Sequence, residues 1–391
     1  MAIPLIYSIR SIAVRKGSSA MAVGGIALVV VVFVVLLALA AGFRRAIEVS
    51  GNPNNIIVLR KGADAELQSQ VTRDTARIIA QLPIVARDEK GQPLFLQESV
   101  IILARPKKDG GETNITVRGA APDARKVHSE VRVKEGRWFT PGTDEAVIGV
   151  GLARRLEGFA LGGVVTIGKY SWKIVGLFEA NGSALESELW FDVDLLQSAF
   201  HRNEVFQSLL FRAEGDPQEA LKFLDKTVAA DPRLRSVQGK IETTYYQEQS
   251  RLMASLIETL GRLLTSIMAI GAIVGAMNTM YAAVSQRQRE IGCMLAMGFP
   301  PISIFFAFMA ESLVLSGIGA VIGCGLAMFF DGIKTGTTNF ATFSETAFEF
   351  IVTPEILLQA SAIALFMGFI GGILPAIRAA RMKVVDALRR A

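Results

Sequence analysis

The chain has 391 residues, of which 51% are hydrophobic and only 20% are charged, so it is more apolar than an ordinary soluble protein. The net charge of +5 does not indicate nucleic-acid binding, because the basic residues flank apolar stretches instead of clustering with aromatic residues. The two cysteines, Cys293 and Cys324, provide no disulfide framework, and we expect both to be packing residues.

Four stretches are long and apolar enough to cross a bilayer, whose hydrocarbon core requires about 20 residues of helix. The most charged part of the chain lies between the first and the second and must face water. The sequence therefore predicts a polytopic α-helical membrane protein with four transmembrane helices and a large extracytoplasmic α+β domain. In chain order the predicted segments are a cytoplasmic amphipathic helix at 1–19, the first transmembrane helix at 20–42, the extracytoplasmic core domain at 43–258, the second transmembrane helix at 259–284, a cytoplasmic segment at 285–300, the third transmembrane helix at 302–330, a short extracytoplasmic loop at 331–353, the fourth transmembrane helix at 354–378 and a cytoplasmic tail at 379–391.

Lysine and arginine residues beside the apolar stretches predict the orientation, since they are enriched on the cytoplasmic side. The segment at 331–353 carries only Lys334, which assigns it to the outside with the core domain. Both termini and the segment at 285–300 are then cytoplasmic. The flanking basic residues are Arg10, Arg15, Lys16, Arg287, Arg289, Arg378, Arg381, Lys383, Arg389 and Arg390.

The start of the chain allows two alternatives. Residues 3–16 have the apolar spacing of an amphipathic helix on the membrane surface, although an ordinary basic flank would look similar. Residues 38–40 (Ala-Leu-Ala) resemble a signal-peptide cleavage site. The first apolar stretch is longer than a signal peptide requires, which favours an uncleaved anchor.

The core domain alternates patterns typical of strands and helices, with a glycine-rich, β-prone insert at about 131–203 that contains a helix at 151–156. Two similar α/β parts, typical of a porter-like domain, flank this insert. A helical stalk at 246–262 leads into the second transmembrane helix. The other predicted elements are strands at 55–59, 206–212 and 236–241, helices at 72–82 and 217–229, and a hairpin joining 100–104 to 114–117 around the turn at 109–111.

Nothing in the sequence predicts a catalytic, cofactor-binding or metal site. Residues 163–170 (GVVTIGKY) match a phosphate-binding loop except that Tyr170 replaces the final Ser or Thr, and the flanks resemble two strands rather than a strand and a helix. His128 and His201 lack neighbouring ligands at metal-site spacing, and we predict both to be surface residues. If the protein uses ATP, we expect another subunit to hydrolyse it.

The cytoplasmic segment 285–300 (SQRQREIGCMLAMGFP) has Ile291, Met294 and Leu295 at helical spacing beside charged residues. This pattern predicts a short amphipathic helix with a charged face exposed as a docking surface, although a basic loop has the same composition. Glu311 lies at the start of the third apolar stretch, before 19 uncharged residues that span about 28 Å of helix. We interpret it as an interfacial carboxylate that pairs with a nearby arginine rather than a buried functional acid.

The cytoplasmic segment 285–300 resembles the coupling segment of the MacB and FtsX superfamily of ABC permeases. Residues 372–389 (GILPAIRAARMKVVDALR) are similar to that family's last helix and its exit, and residues 135–149 and 172–182 are similar to its periplasmic core domain. Pro300 and Pro301 depart from the family pattern, which has a basic residue there. The resemblance implies ATPase-coupling roles for Arg287, Arg289, Glu290, Ile291, Gly292, Leu295 and Gly298, an interfacial carboxylate at Glu311, and a cytoplasmic exit at Pro375, Arg378 and Arg381.

The resemblance also implies a non-catalytic permease subunit in the inner membrane, with its termini cytoplasmic and its large domain periplasmic. Its expected partners are two ABC ATP-binding subunits, which bind ATP and Mg, a second permease chain forming a homodimer or heterodimer, and the lipid bilayer. A periplasmic adaptor or substrate-delivery protein is a further candidate. The expected cargo is a lipoprotein, lipid, peptide or drug. Two alternatives remain: an FtsX-like regulator of a cell-wall hydrolase, and a membrane-anchored sensor or scaffold without ATP coupling.

Overall fold

A computed structural model of the chain describes residues 16–108, 110–202, 205–338 and 345–384. The predicted amphipathic segment at 3–16 falls almost entirely outside these residues, as does the end of the predicted tail. The described residues form two compact units. The helical unit comprises Ser255–Ile333 and the described parts of residues 1–41 and 350–391, and the outer domain comprises Gly42–Ala254 and Lys334–Glu349.

The helices are α1 (Lys16–Glu48), α2 (Arg73–Ala80), α3 (Val150–Arg155), α4 (Val193–Ala199), α5 (Pro217–Ala230), α6 (Glu242–Gln286), α7 (Gln288–Ala296), α8 (Pro301–Ala327) and α9 (Pro354–Ala380). The strands are β1 (Asn55–Arg60), β2 (Val71–Thr72), β3 (Phe95–Pro106), β4 (Glu112–Ala120), β5 (Arg132–Gly136), β6 (Glu145–Gly149), β7 (Val164–Ile167), β8 (Tyr170–Glu179), β9 (Glu188–Asp192), β10 (Val205–Phe206), β11 (Ser208–Arg212), β12 (Val237–Ile241), β13 (Lys334–Thr338) and β14 (Glu345–Glu349).

Among the described residues, four helices are long and apolar enough to cross a membrane: α1, α6, α8 with the turn after it, and α9. These are the four apolar stretches of the sequence, so the predicted fold class is confirmed. α6 is the longest, with 45 residues, and runs from the outer domain into the second apolar stretch without a break.

Small residues allow the apolar helices to pack closely. A Cβ atom on Gly323 of α8 would lie 2.6 Å from Cβ of Val30 on α1, and a Cβ atom on Gly372 of α9 would lie 2.7 Å from Cβ of Ser312 on α8. Only glycine fits at such contacts. In α6, by contrast, a Cβ atom on Gly271 would meet nothing within 4 Å. Gly323 and Gly372 therefore serve packing within the chain, and Gly271 does not.

The outer domain is built on one ten-stranded sheet, in the order β12-β1-β11-β3-β4-β9-β6-β8-β5 with β7 paired to β8. Two apolar clusters pack on it, one beneath α2 and α5 and one beneath α3 and α4. The predicted strands and helices of this domain are confirmed with small shifts at their ends, except that the strand predicted at 206–212 is interrupted at Gln207. Strands from the predicted insert join the same sheet, because β9 pairs in parallel with β4.

The segment between α8 and α9, predicted as a loop, contains the antiparallel strands β13 and β14. This pair packs in the outer domain: the backbone N–H of Ala347 donates to Ser187 Oγ at 2.9 Å, and the ring of Phe348 meets Phe43 edge to face. Alternating threonines in β13 and the apolar Phe348 in β14 favour strands here. The segment and the large domain therefore belong to one compact unit.

Candidate functional site

The segment between α6 and α8 begins with a break in the helix at Arg287. α6 ends one residue before it and α7 starts one residue after it, and Arg287 itself has φ −111° and ψ 15°. Its Nη1 donates to Glu311 Oε2 at 3.1 Å, and its Nε donates to Glu290 Oε2 at 3.1 Å. The guanidinium lies 5.8 Å from the ring centroid of Phe308. Arg287 therefore fixes the start of α7 to α8.

The Arg287–Glu311 ion pair is buried, with the two side chains only 10% and 5% exposed. Its charges have lost most of their hydration, so removal of either partner leaves the other buried without this ion pair. The sequence predicted an arginine partner for Glu311, and the structure identifies it as Arg287; the carboxylate is also buried within the protein. The expectation that Arg287 belongs to the exposed charged face is wrong, because the helix break turns its side chain toward Glu311.

α7 is amphipathic, as its spacing predicted. Its inward residues are the buried Ile291 and Gly292 and the half-buried Met294 and Leu295. Its outward residues are Arg289, Glu290, Cys293, Ala296 and Met297. The side chain of Glu290 is 55% exposed and Met297 is 69% exposed. Cys293 is exposed as well, so the prediction that it packs is wrong. The outward face offers a mixed charged and apolar surface to a partner.

The turn after α7 has a defined geometry that requires glycine. Gly298 has φ +89°, a conformation that other residues adopt only with strain. Its N–H donates to Leu295 O at 3.1 Å, and the N–H of Phe299 donates to Met294 O at 3.1 Å. These are the two bonds of a Schellman motif, which satisfies the last carbonyl groups of a helix. Pro301 then begins α8, where a missing N–H costs nothing. The outward face of α7 therefore ends in an ordered turn.

The predicted exit of the last helix lies at the end of α9. Pro375 is buried within the helix, whereas Arg378 and Arg381 are exposed. The guanidinium of Arg378 lies over the ring of Tyr281 in α6, 5.5 Å from its centroid. Arg378 thus links α9 to α6 near the start of segment 285–300, and Arg381 is exposed.

A buried ion network in the outer domain was not predicted. Its centre is Arg118 on β4, whose five N–H groups all donate to carboxylates: two bonds to Glu66, two to Glu188 and one to Glu98, at 2.8 to 3.0 Å. Ser208 also donates to Glu66, at 2.6 Å. Arg118, Glu98, Glu188 and Ser208 lie on the neighbouring strands β4, β3, β9 and β11, and Glu66 comes from the turn before β2. The centre of the sheet therefore carries a polar layer.

His128 extends this network. Its Nε2 lies 2.9 Å from Glu98 Oε1 and its Nδ1 lies 3.2 Å from Glu130 Oε1. Burial lowers the pKa of His128, but the charge of Glu98 and the hydrogen bond to Glu130 outweigh it and raise the pKa well above its usual range. Burial likewise opposes the effect of Arg118 and His128 on Glu98, whose pKa is held below its usual range. The prediction of a surface His128 is wrong: the residue is 1% exposed. His201 is exposed, as predicted.

Two sequence signals pointed to this network. Glu98 interrupts the apolar alternation of the β-prone run FLQESVIIL, and Arg118 is the single charge in the β-prone run NITVRGA, on the same alternating face as Asn114 and Thr116. Single charges inside such runs indicate a buried pair. Which residues pair depends on strand order, which the runs do not give.

Together the four apolar helices and the sheet domain define a polytopic membrane protein with a large extramembrane domain, and the amphipathic α7 lies between two of those helices. A family model described as the MacB-like periplasmic core domain matches residues 19–223, more than half of the chain, and one described as the FtsX-like permease C-terminal matches residues 262–384. The chain therefore belongs to the MacB/FtsX-type family of ABC transporter permeases.

Two relatives align with almost the whole of this chain. The Macrolide export ATP-binding/permease protein MacB of Bdellovibrio bacteriovorus is 26% identical and covers 97% of this chain, which corresponds to only 60% of that relative's length. The uncharacterized ABC transporter permease YknZ of Bacillus subtilis is 25% identical and aligns over 98% of this chain and 97% of its own length. The crystal structure of the extracellular domain of YknZ from Gram-positive bacteria aligns with 48% of this chain at 20% identity, with a TM-score of 0.35.

Proposed function

We propose that the chain is a permease subunit driven by ATP hydrolysis in a separate ATP-binding subunit, and that α7 is where this partner docks. One observation carries the proposal: α7 exposes a charged and apolar face while its base is fixed by the buried pair of Arg287 and Glu311. A partner that pushes on such a helix moves α6 and α8 with it. Family membership supports the same role.

On this proposal, Arg289 and Glu290 form the polar part of the contact and Met297 its apolar part. Arg287, Ile291 and Gly292 act indirectly, because they are buried and hold α7 in place. Two ATP-binding subunits bind ATP and Mg, and this chain contributes no catalytic group. The first relative is named an ATP-binding/permease protein, and this chain corresponds to 60% of its length.

A second permease chain is the expected partner of α6. This helix is the least buried of the four apolar helices among the described residues. Gly271 and Gly275 leave an open groove on it, bordered by the exposed Ile267, Ile270 and Val274. Small residues beside apolar ones favour close helix contact in membranes. We assign this face to a copy of the chain or a related permease.

We further propose that α6 transmits the motion to the outer domain, which acts on a hydrophobic or envelope substrate in the periplasm. The inner membrane, with both termini cytoplasmic, is the location that the lysine and arginine pattern favours. Ionisable residues of the kind that line a polar pathway are scarce in the described parts of the apolar helices. This scarcity supports a role in transmitting motion rather than enclosing a hydrophilic substrate.

The test is co-purification of the tagged full chain from its native host, followed by ATPase assays of the complex in nanodiscs. The double charge reversal Arg289→Glu/Glu290→Arg should lower recovery of the ATP-binding protein at least fivefold while leaving the amount of inserted chain unchanged. Lys383→Glu, an exposed charge reversal outside α7, is the control. Unchanged recovery in the double variant would remove α7 from the contact. Absence of any ATP-binding protein from the wild-type complex would favour the scaffold alternative.

A second measurement separates transport from regulation. Cells expressing the wild-type complex or the double variant are compared for release of labelled lipid and lipoprotein and for cell-wall hydrolase activity. We expect the double variant to lose release and keep hydrolase activity. Loss of hydrolase activity with normal release would favour the regulator.

A further inference from the structure

Glu242, the first residue of α6, ties together the two chain segments that enter the outer domain from the apolar helices. Its Oε2 accepts a hydrogen bond from the N–H of Asn52 at 3.0 Å and another from Asn55 Nδ2 at 2.9 Å. Asn52 follows the end of α1, and Asn55 begins β1. One carboxylate oxygen therefore joins the end of α1 to the start of α6.

The backbones also meet closely at this point. A Cβ atom on Gly51 would lie 2.9 Å from the carbonyl carbon and oxygen of Glu242 and 2.9 Å from Cα of Thr243. Only glycine allows this approach. Ser50, one residue earlier, is buried and accepts a hydrogen bond from Ala184 of the sheet domain. The junction is packed as well as hydrogen-bonded.

Glu242 is buried and receives only neutral amide donors in the described part of the chain. It lies well before the apolar part of α6, which begins after Arg262, about 30 Å further along the helix. The charged or titratable groups that face it are His128 and Glu130 from the loop before β5 and Tyr246 from α6 itself. Behind His128 lie Glu98 and Arg118 of the ion network.

We propose that Glu242 is a pH-dependent clamp: in its protonated form it holds the end of α1 against the start of α6, and ionisation loosens that junction. A neutral carboxyl group accepts both amide hydrogen bonds without the cost of burying a charge. The ionised form keeps the bonds but has no cation in direct contact to offset burial. The stability of this junction therefore depends on the pH of the compartment that holds the outer domain.

The direction of the pH effect follows from the environment of the group. Burial, the largest effect, raises the pKa of Glu242 to about 7, and the charge of Glu130 adds to it against the opposing charge of His128. A carboxyl group that binds its proton more tightly in the closed state stabilises that state at low pH. The stabilisation declines as pH rises from the open-state pKa toward 7 and is lost above it. With an open-state pKa of about 4.5, local opening should increase about tenfold between pH 6 and pH 8.

The test is hydrogen–deuterium exchange of the full chain in nanodiscs at pH 6 and pH 8, corrected for the intrinsic rate. In the wild type, protection of residues 49–55 and 242–247 should fall about tenfold between the two pH values, while α5 should not change. Glu242→Gln keeps an acceptor oxygen and cannot ionise, so its protection should not depend on pH. Glu248→Gln is the control, since Glu248 lies on the same helix and is exposed beside Lys240.

Equal wild-type protection at the two pH values would overturn the proposal, whether or not any variant folds. So would a Glu242→Gln variant that keeps the wild-type pH dependence, or a Glu248→Gln variant that loses it. A change confined to the two named segments supports the clamp. The experiment needs neither ATP nor a cargo, so its outcome is independent of the function proposed above.

Discussion

Replacing Arg118 with methionine tests whether the outer domain depends on its buried ion network. Arg118→Met keeps most of the side-chain volume but removes the cation from three buried carboxylates, Glu66, Glu98 and Glu188. Breaking a buried ion pair by removing one partner costs about 3–5 kcal/mol. The carboxylates of the variant can instead take up protons, which costs about 3.5 kcal/mol for each group at pH 7. The expected loss is therefore about 3–7 kcal/mol at pH 7.

The loss of stability caused by Arg118→Met should be smaller at acidic pH. In the wild type the pKa of Glu98 is held below its usual range, so its contribution to stability is present above the unfolded pKa and is lost as pH falls through the folded one. In the variant the buried carboxyl groups prefer their protons, and protonation costs only about 1 kcal/mol each at pH 5. The difference in unfolding free energy between wild type and variant should therefore fall by at least half between pH 7 and pH 5.

Thermal unfolding of the full chain in detergent measures this gap. Trp190 is a local reporter, because its ring lies 5.8 Å from the Arg118 guanidinium and its Nε1 donates to Glu188 at 2.6 Å. At about 2–4 °C for each kcal/mol in a domain of this size, the variant should melt about 6–28 °C lower at pH 7. Arg137→Met is the control, because Arg137 pairs with Glu145 at the surface. Its loss should lower the unfolding free energy by about 1 kcal/mol or less. A gap within about 3 °C, or one that persists at pH 5, would refute the reasoning.

Two further predictions concern the helical unit. Glu311→Leu alone should destabilise the chain by about 3–5 kcal/mol, because Arg287 stays buried without this carboxylate. Adding Arg287→Met should recover most of that loss. In a double-mutant cycle measured by unfolding in detergent, additive losses would contradict the buried pair. Gly323→Ala should destabilise by about 1–3 kcal/mol because its Cβ would clash with Val30, whereas Gly271→Ala should be neutral in the isolated chain; equal effects in the same assay would contradict the packing.

The apolar stretches and most elements of the outer domain could be predicted because local pattern decides them. An uncharged run of about 20 residues has few structural alternatives, and turn glycines such as Gly110 and Gly111, both at positive φ, favour a hairpin between neighbouring strands. The position of the insert in the sheet could not be predicted from local pattern. Whether β9 pairs with β4 or stands in a separate sheet depends on residues about 70 apart in the chain, Arg118 and Glu188 among them.

The candidate site shows the same limit. The spacing of Ile291, Met294 and Leu295 was enough to predict an amphipathic helix. The inward direction of Arg287 was not predictable, because it depends on a helix break that no glycine or proline marks and on a carboxylate 24 residues away. His128 was misassigned for a related reason. Glu130 is two residues away and was visible, but Glu98, which holds the other ring nitrogen, comes from a different strand.

α6 combines these features in one element. It is the least buried of the apolar helices among the described residues, yet buried polar contacts fix both of its ends. At the first end Glu242 binds Asn52 and Asn55, and just past the other end Arg287 binds Glu311. If α6, a helix of 45 residues, carries displacement as proposed above, neither of its ends can be allowed to slip. Weakening either polar contact should therefore uncouple the two ends of α6 without unfolding the apolar segment between them.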